Sequence, residues 1–360
     1  MQMIHGTIDE KKDRLTKWWH GHGLGRPAMH LTMMDKDYSL NYQGECPKGD
    51  IHPKYTFKSM AYRLYLEEKN LYNKIYYGEA IPCCDADLAA GVLALFLGCH
   101  GIEKKDTVWI EADFEHHDTI PIQIDPDNFY YQFFWRLQTH LKEKYGDLAC
   151  GFPDLIEGID IYAAMGGTQN TLFDIVDCPD KLLRTIEKID EAYLHYYDNI
   201  YEKIKDSRGG SMFWIWAPGK ISKVQCDISA MLSPDMFNQF TMPTLKKIIQ
   251  HMDYSIYHLD GPDATRHIDA ILSIDELDVV QWTPGASSDM LSCGTYHSRW
   301  YPMYHKIIEA GKKIMLQGIN SSDKLKKLKD EFGKSLGNFY IQSHLTTKEE
   351  ADKILETAQL

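Results

Sequence analysis

The run Asp253-Tyr-Ser-Ile-Tyr-His258-Leu-Asp260, then Gly261-Pro-Asp-Ala-Thr-Arg-His-Ile-Asp-Ala-Ile-Leu272, then Asp278-Val-Val-Gln281-Trp-Thr-Pro-Gly-Ala286 decides the fold. It reads as a strand ending in His258 and Asp260, a turn at Gly261-Pro262, an amphipathic helix to Leu272, and a second strand ending in Gln281 and Trp282. Two strands joined through one helix are parallel neighbours. Polar residues at the carboxyl ends of parallel strands share one mouth, which is where α/β barrels keep their chemistry. His258, Asp260 and Gln281 are therefore read as one site.

Working outward, the same alternation recurs. A first helix spans 9–19 and a first strand 28–33, followed by Met34-Asp35-Lys-Asp37. Short β runs with helices after them fall near residues 28, 80, 152, 212, 255, 279, 313 and 339, enough for a single (β/α)8 TIM barrel spanning 1–360. Residues 1–25 read as an N-terminal helical extension. Residues 106–125 interrupt the rhythm as an inserted hairpin, with Thr107-Val-Trp-Ile-Glu-Ala and Thr119-Ile-Pro-Ile-Gln-Ile as its strands. Met212–Ala217 and Val224–Ile228 are too close for a parallel crossover, so one of them lies on the rim or in a loop. The helix over 179–206 carries Leu182, Ile186, Ile189, Tyr193, Tyr197 and Ile200 on its buried face. Ser233-Pro234 opens another, with Ser233 as N-cap.

Composition narrows the function. The 360 residues carry a net charge of −13, which argues against a nucleic-acid partner. With 44% hydrophobic and 12% aromatic residues the chain is globular, no apolar run approaches a membrane span, and a cytoplasmic protein is expected. Eight dispersed cysteines without a CxxC pair suggest neither a disulfide framework nor a structural zinc. The Gly-rich His20-Gly-His22-Gly-Leu-Gly25 lacks the preceding strand a phosphate loop needs.

Arg26-Pro27 before the first strand, Ser233-Pro-Asp-Met-Phe with Pro243 following, Tyr257-His258-Leu-Asp-Gly261 and Gln281-Trp-Thr-Pro-Gly285 together resemble the uroporphyrinogen decarboxylase superfamily. The resemblance covers the chain from about Trp18 and is strongest over 150–345. It implies a TIM barrel and two kinds of activity: tetrapyrrole decarboxylation, or zinc-dependent methyl transfer with a corrinoid protein or a thiol. Acidic Asp35 and Asp37 stand where the decarboxylases carry substrate-binding arginines, which argues against an octacarboxylate substrate. The methyltransferase branch has His-x-Cys-Gly and a later Cys. Here the motif reads His258-Leu-Asp260, and 339–344 has no Cys.

Zinc accepts carboxylate and imidazole donors, so His258 and Asp260, with Cys226 or His344 as third donor, form the expected metal set. Bland readings stand beside these: His258 as a buried hydrogen-bonded histidine, Asp260 as a helix cap, Cys226 as a small buried hydrophobe. Trp214 and Trp216 read either as core filling or as aromatic walls of a mouth. Glu111, His116 and His117 read as a solvated loop or a lid, His20 and His22 as rim residues or a second metal pair, and Cys293 and His297 as surface.

The expected function is methyltransferase-type: a metal at His258 and Asp260 activates a methyl donor or acceptor, and Asp227 assists. Tyr257, Gln281, Trp214 and Trp216 are its expected substrate contacts. One alternative is a metal-free lyase or decarboxylase in which Asp227, His258 and Asp260 move protons. Another is a non-catalytic partner of a corrinoid protein. Cobalamin would arrive only on such a partner. The substrate is expected to be small, neutral, cationic or weakly anionic, with an apolar or aromatic part, and a homodimer is plausible from the Tyr-rich helices.

Overall fold

The computed structural model describes residues 1–34, 44–47, 52–112, 122–285 and 293–359. Twelve strands occur among them: β1 (Gln2–Met3), β2 (Ala28–Met34), β3 (Lys74–Gly78), β4 (His100–Lys104), β5 (Thr107–Glu111), β6 (Ser211–Phe213), β7 (Ile215–Ala217), β8 (Ile221–Gln225), β9 (Tyr254–Asp260), β10 (Val279–Thr283), β11 (Lys313–Gln317) and β12 (Phe339–Leu345). Eight form a central sheet in the order β1-β3-β2-β12-β11-β10-β9-β8. Every neighbouring pair is parallel except β2 with β3. Thirteen α-helices accompany the strands among the described residues, and none of them is long and apolar enough to cross a membrane.

The 253–283 stretch folds as its pattern dictates. β9 and β10 pair in parallel with His258 opposite Gln281, and Pro262–His267 and Ile268–Leu272 supply the helical crossover. Side chains alternate across each strand. On one face Ala28, Ile221, Ile256, Val279, Met315 and Tyr340 form a compact cluster with Trp18 and Trp216. On the other, Leu31, Val224, Tyr257, Leu259, Trp282 and Leu316 pack under the helices in the main core. We call the first the inner face; past its apolar layer, the same parity places Lys223, His258, Gln281, Gln342 and His30.

Helix Pro179–Ile204 shows how the outer layer is fixed. Proline at its first turn loses no intrahelical hydrogen bond. The buried face comes at three- and four-residue steps, and its tyrosines double as polar anchors. Tyr197 stacks on Phe152 at 4.4 Å and donates to the Ile221 carbonyl at 2.8 Å, while Tyr193 bonds to Ser222. Ser233 caps Pro234–Phe240 as expected, but the helix breaks at Thr241 before Met242–His251.

Residues 1–25 are not an appendage. Helix Ile8–Trp19, closed by a Thr7–Glu10 capping box, inserts Trp18 and Trp19 into the inner cluster. Lys12 meets Asp206 at 2.6 Å, and Asp206 also accepts from Trp216 Nε1 at 2.8 Å. Glu79 is fully buried, bonded to Arg14, Arg26 and the Met29 N–H. Burial opposes its charge, but the bonds from Arg26, Met29 and Arg14 prevail and hold its carboxyl below the usual range.

Four strand expectations are corrected. The strand near 80 is β3, which ends at Gly78 and runs antiparallel to β2. Near 152 a lone parallel bridge joins Gly151 to Met212. Of the crowded pair, the later one is the sheet strand, β8; β6 and β7 close on each other as a three-residue hairpin around Trp214. The inserted hairpin is β4–β5, residues 100–111, because Thr107–Glu111 pairs backward with His100–Lys104. Residues 119–121 of the second expected strand, with His116 and His117, lie outside the described residues, as do Asp35 and Asp37.

Candidate functional site

His258 and Gln281 come together as expected. The Gln281 carboxamide oxygen bonds His258 Nδ1, and its amide donates to Thr283 Oγ1 at 2.9 Å. With Nδ1 donating, Nε2 is left with the lone pair. The Trp214 ring stands edge-on to His258 at 5.6 Å, so it belongs to the same neighbourhood. Asp260 lies at the exposed tip of β9 on the same face by parity. Asp227 starts the turn after β8, its backbone N–H donating to Asp160 Oδ2 at 2.6 Å. Desolvation raises the Asp227 carboxyl; Asp260 and Asp154 push it further, and Lys223 and His258 oppose them.

Other expected members stand elsewhere. Tyr257 alternates with His258 and faces the helical core, where burial drives its hydroxyl well above the ordinary value. Trp216 is fully buried with its indole N–H on Asp206, so it is core rather than a substrate wall. Trp214 and Trp216 do not share a strand face, since Trp214 sits at the hairpin corner with φ +57°. Cys226 is buried in the helical layer beside Thr241 Oγ1 at 3.4 Å, and burial raises its thiol. His344 bonds Thr32 on β2, three strands across the sheet from β9. His20 pairs with Tyr254 at the opposite, amino-terminal strand end, while Glu111 and His297 are exposed.

The principal cavity, about 570 Å³, opens beside Trp214 rather than over His258. That size suits a small molecule. Its walls bring Asp85, Asp87, Asp154 and Glu67 together with Lys54, Lys74 and His30, and with the rings of Tyr55, Phe152, Phe213 and Trp214. The Asp154 N–H donates to Asp87 Oδ1 at 2.9 Å, and the Asp87 N–H to Asp85 Oδ1 at 3.1 Å. Lys223, buried on the inner face of β8, meets Asp154 Oδ1 at 2.6 Å and also bonds Gln225.

Asp87, Glu67 and His30 are tuned toward neutrality. Desolvation, then Asp85 and Asp154, raise Asp87 to about 7. Burial, then Asp85, raise Glu67 to about 8. His30 goes the other way: burial first, then Lys74 and Lys11, push it down to about 3, so its imidazole is neutral. Its Nδ1 lies 2.8 Å from the Tyr340 hydroxyl. A second cavity of about 400 Å³ shares Ala90 with the first and is lined by Asp160 and Asp227. Asp160 is raised to about 7 by burial and by Asp227.

Backbone strain concentrates on these walls. Ala89, Ile156 and Trp214 adopt φ of +75°, +56° and +57°, and each lines one of the two cavities. A β-branched residue in the left-handed region is a rarity sustained only by its surroundings.

The sequence held signals for the residues it did not point to. Asp85-Ala-Asp87 follows an apolar run, Lys223 interrupts the strand Ile221-Ser-Lys-Val-Gln, and His30 falls mid-strand. Polar groups placed in otherwise buried strands need partners, and here the partners are the cavity.

The expected zinc donors do not assemble. Cys226 faces the helices, and His344 is separated from β9 by three ladder steps of roughly 4.8 Å each. Among the described residues no group of three His, Cys, Asp or Glu side chains is placed to hold a metal. No protein-family model matches the chain, and no curated protein matches it.

Proposed function

We propose that the chain is an enzyme of lyase or decarboxylase type that moves protons on a small molecule held between Asp87, Asp154 and Trp214. The observation that carries this reading is the meeting, in one cavity, of carboxyls tuned toward neutrality, a neutral histidine and an aromatic wall. Asp87 is the proton carrier, because a carboxyl titrating at about 7 serves as acid and base alike at neutral pH. Asp154 positions it through its N–H and is itself held by Lys223. His258, with Nε2 basic, acts at the Trp214 edge.

In this reading the sheet closes into a (β/α)8 barrel, with 79–85 and 149–153 as the two missing staves between β2 and β8 and the β6–β7 hairpin lying beside 149–153. Support comes from the hydrogen bonds that knit these segments: Cys84 N–H to Leu148 O at 2.9 Å, Met212 N–H to Cys150 O at 3.0 Å and Phe152 N–H to Met212 O at 2.9 Å. For zinc-assisted methyl transfer with a corrinoid protein, the third donor would have to be Cys226, which faces the helices, or His344, which stands three strands from His258, so no step is derived through either group.

The test is a mass-spectrometric search for solvent-deuterium incorporation or CO₂ release across small neutral, cationic and acidic compounds. Wild type is expected to act on one of them. Asp87→Asn is expected to lower that rate about 100-fold or more and to erase the limb of the pH profile near 7. Equal rates for the two proteins would overturn the reading.

A further inference from the structure

We infer that the molecule held in the principal cavity is a monocarboxylate whose carboxylate docks on Lys74. This rests on the proton-transfer reading for its chemistry but not for its binding geometry.

The cavity is polarised. Asp154 lies by Asp87 and Lys223, on the side toward Trp214. Lys74 lies elsewhere on the wall: the groups that feel its charge are His30, His344, Glu67 and Lys54. Lys223, behind the wall, is matched by Asp154; of the two lysines lining the cavity, Lys54 donates to Tyr55 and lies in the field of Asp85 and Asp87. The Lys74 ammonium forms no hydrogen bond or ion pair among the described residues, although the residue is half-buried. Its carboxyl neighbour, Glu67, shares its field but makes no ion pair with it among the described residues. A partly desolvated ammonium without a counter-charge is an anion site.

Neighbouring groups complete a donor set. The Gln342 carboxamide oxygen is taken by Gln317 Nε2 at 2.8 Å, which leaves the Gln342 NH₂ to donate. With the Tyr340 hydroxyl donating to His30 Nδ1, the neutral His30 carries its proton on Nε2. Both residues line the cavity with Lys74. One ammonium, one imidazole N–H and one amide suit a single carboxylate. A dianion would bring a second charge toward Asp85, Asp87 and Asp154, which repel it. The aromatic walls of Tyr55, Phe213 and Trp214 take the apolar remainder.

Benzoate, benzamide and benzylamine share one ring and differ in charge, so calorimetric titration of the full chain with each reads the anchor directly. Benzoate is expected to bind at least tenfold tighter than benzamide and benzylamine. Lys74→Met is expected to abolish that preference, and Lys74→Arg to keep it within a few-fold. No binding of any probe, benzoate no tighter than benzamide or benzylamine, or a preference that survives Lys74→Met would each overturn the assignment. Should Lys74→Met fail to fold, ¹⁵N-lysine spectra of wild-type protein decide: benzoate shifts an ammonium resonance that benzamide leaves in place, and no such shift overturns it. Asp87→Asn separates the two readings. Retained Lys74-dependent benzoate binding with unchanged turnover sinks the proton-transfer reading while the carboxylate anchor stands.

Discussion

The arc from β8 to β12 and the wall from residue 74 to 217 are built by opposite rules. Along the arc, register is continuous over five strands, and side-chain parity alone decides which residues face inward. In the wall, a three-residue hairpin, one isolated bridge and three left-handed non-glycine residues replace regular strands. The arc supplies the frame and the His258–Gln281 pair. The wall supplies Asp85, Asp87, Asp154 and Trp214, aimed by turns that a regular strand could not make. Site chemistry sits where the backbone departs from the repeat, a common location for stored strain.

Two tryptophans that flank one corner offer the sharpest way to break this comparison. Trp216 is fully buried among Trp18, Ile256 and Tyr340 and bonds Asp206, so Trp216→Ala is expected to cost about 3–5 kcal/mol in urea unfolding. Trp214 is half-buried and touches Phe213 and His258, so Trp214→Ala is expected to cost only about 1 kcal/mol while weakening ligand binding. Equal costs would mean that the corner belongs to the frame after all.

Next in size is pH. Asp190, on the long helix, is almost wholly buried and its Oδ2 accepts from Thr244 Oγ1 at 2.6 Å. Burial raises its carboxyl from 3.8 to about 7, with Thr244 and Lys247 opposing. The folded state therefore keeps a proton that the unfolded state releases. The resulting stability is complete below about pH 4 and lost as pH rises through about 7. Roughly three units correspond to on the order of 4 kcal/mol. Asp190→Asn should thus flatten the decline in unfolding free energy between pH 4 and pH 8 by a few kcal/mol. A decline as steep as wild type would place the titration elsewhere, with Asp87 and Glu67 of the cavity as the next carboxyls to replace.

The difference between arc and wall is also the difference between what could and could not be read from residues alone. The strand–helix–strand pattern of 253–283 set β9, its crossover and β10, and brought His258 to Gln281, because period-two alternation and turn residues are local signals. The wall resists such reading. Ile81-Pro-Cys-Cys-Asp85 has strand composition, but its neighbours in space are 148–151, and pairing of that range is set by tertiary packing. Nearness to strand ends makes Cys226 and His344 look like donors. Parity turns the first toward the helices, and strand order carries the second across the sheet.

The smallest effect is also the most direct probe of strain in the wall. Ala89 holds φ +75° at the cavity edge with its methyl buried. The left-handed conformation costs an L-residue roughly 1–2 kcal/mol, which glycine escapes. Against that, Ala89→Gly loses about 0.8 kcal/mol of methyl burial and about 0.5–1 kcal/mol to greater freedom of the unfolded chain. The terms nearly cancel, so the variant should unfold within about 0.5 kcal/mol of wild type. Ala94, five residues on in helix Val92–Phe96, is equally buried but has no strain to relieve. Ala94→Gly there should cost about 1.5–2 kcal/mol from lost burial and helix propensity together. If both substitutions cost the same, Ala89 is not strained, and its turn into the acid cluster is ordinary loop geometry rather than a conformation imposed by the site.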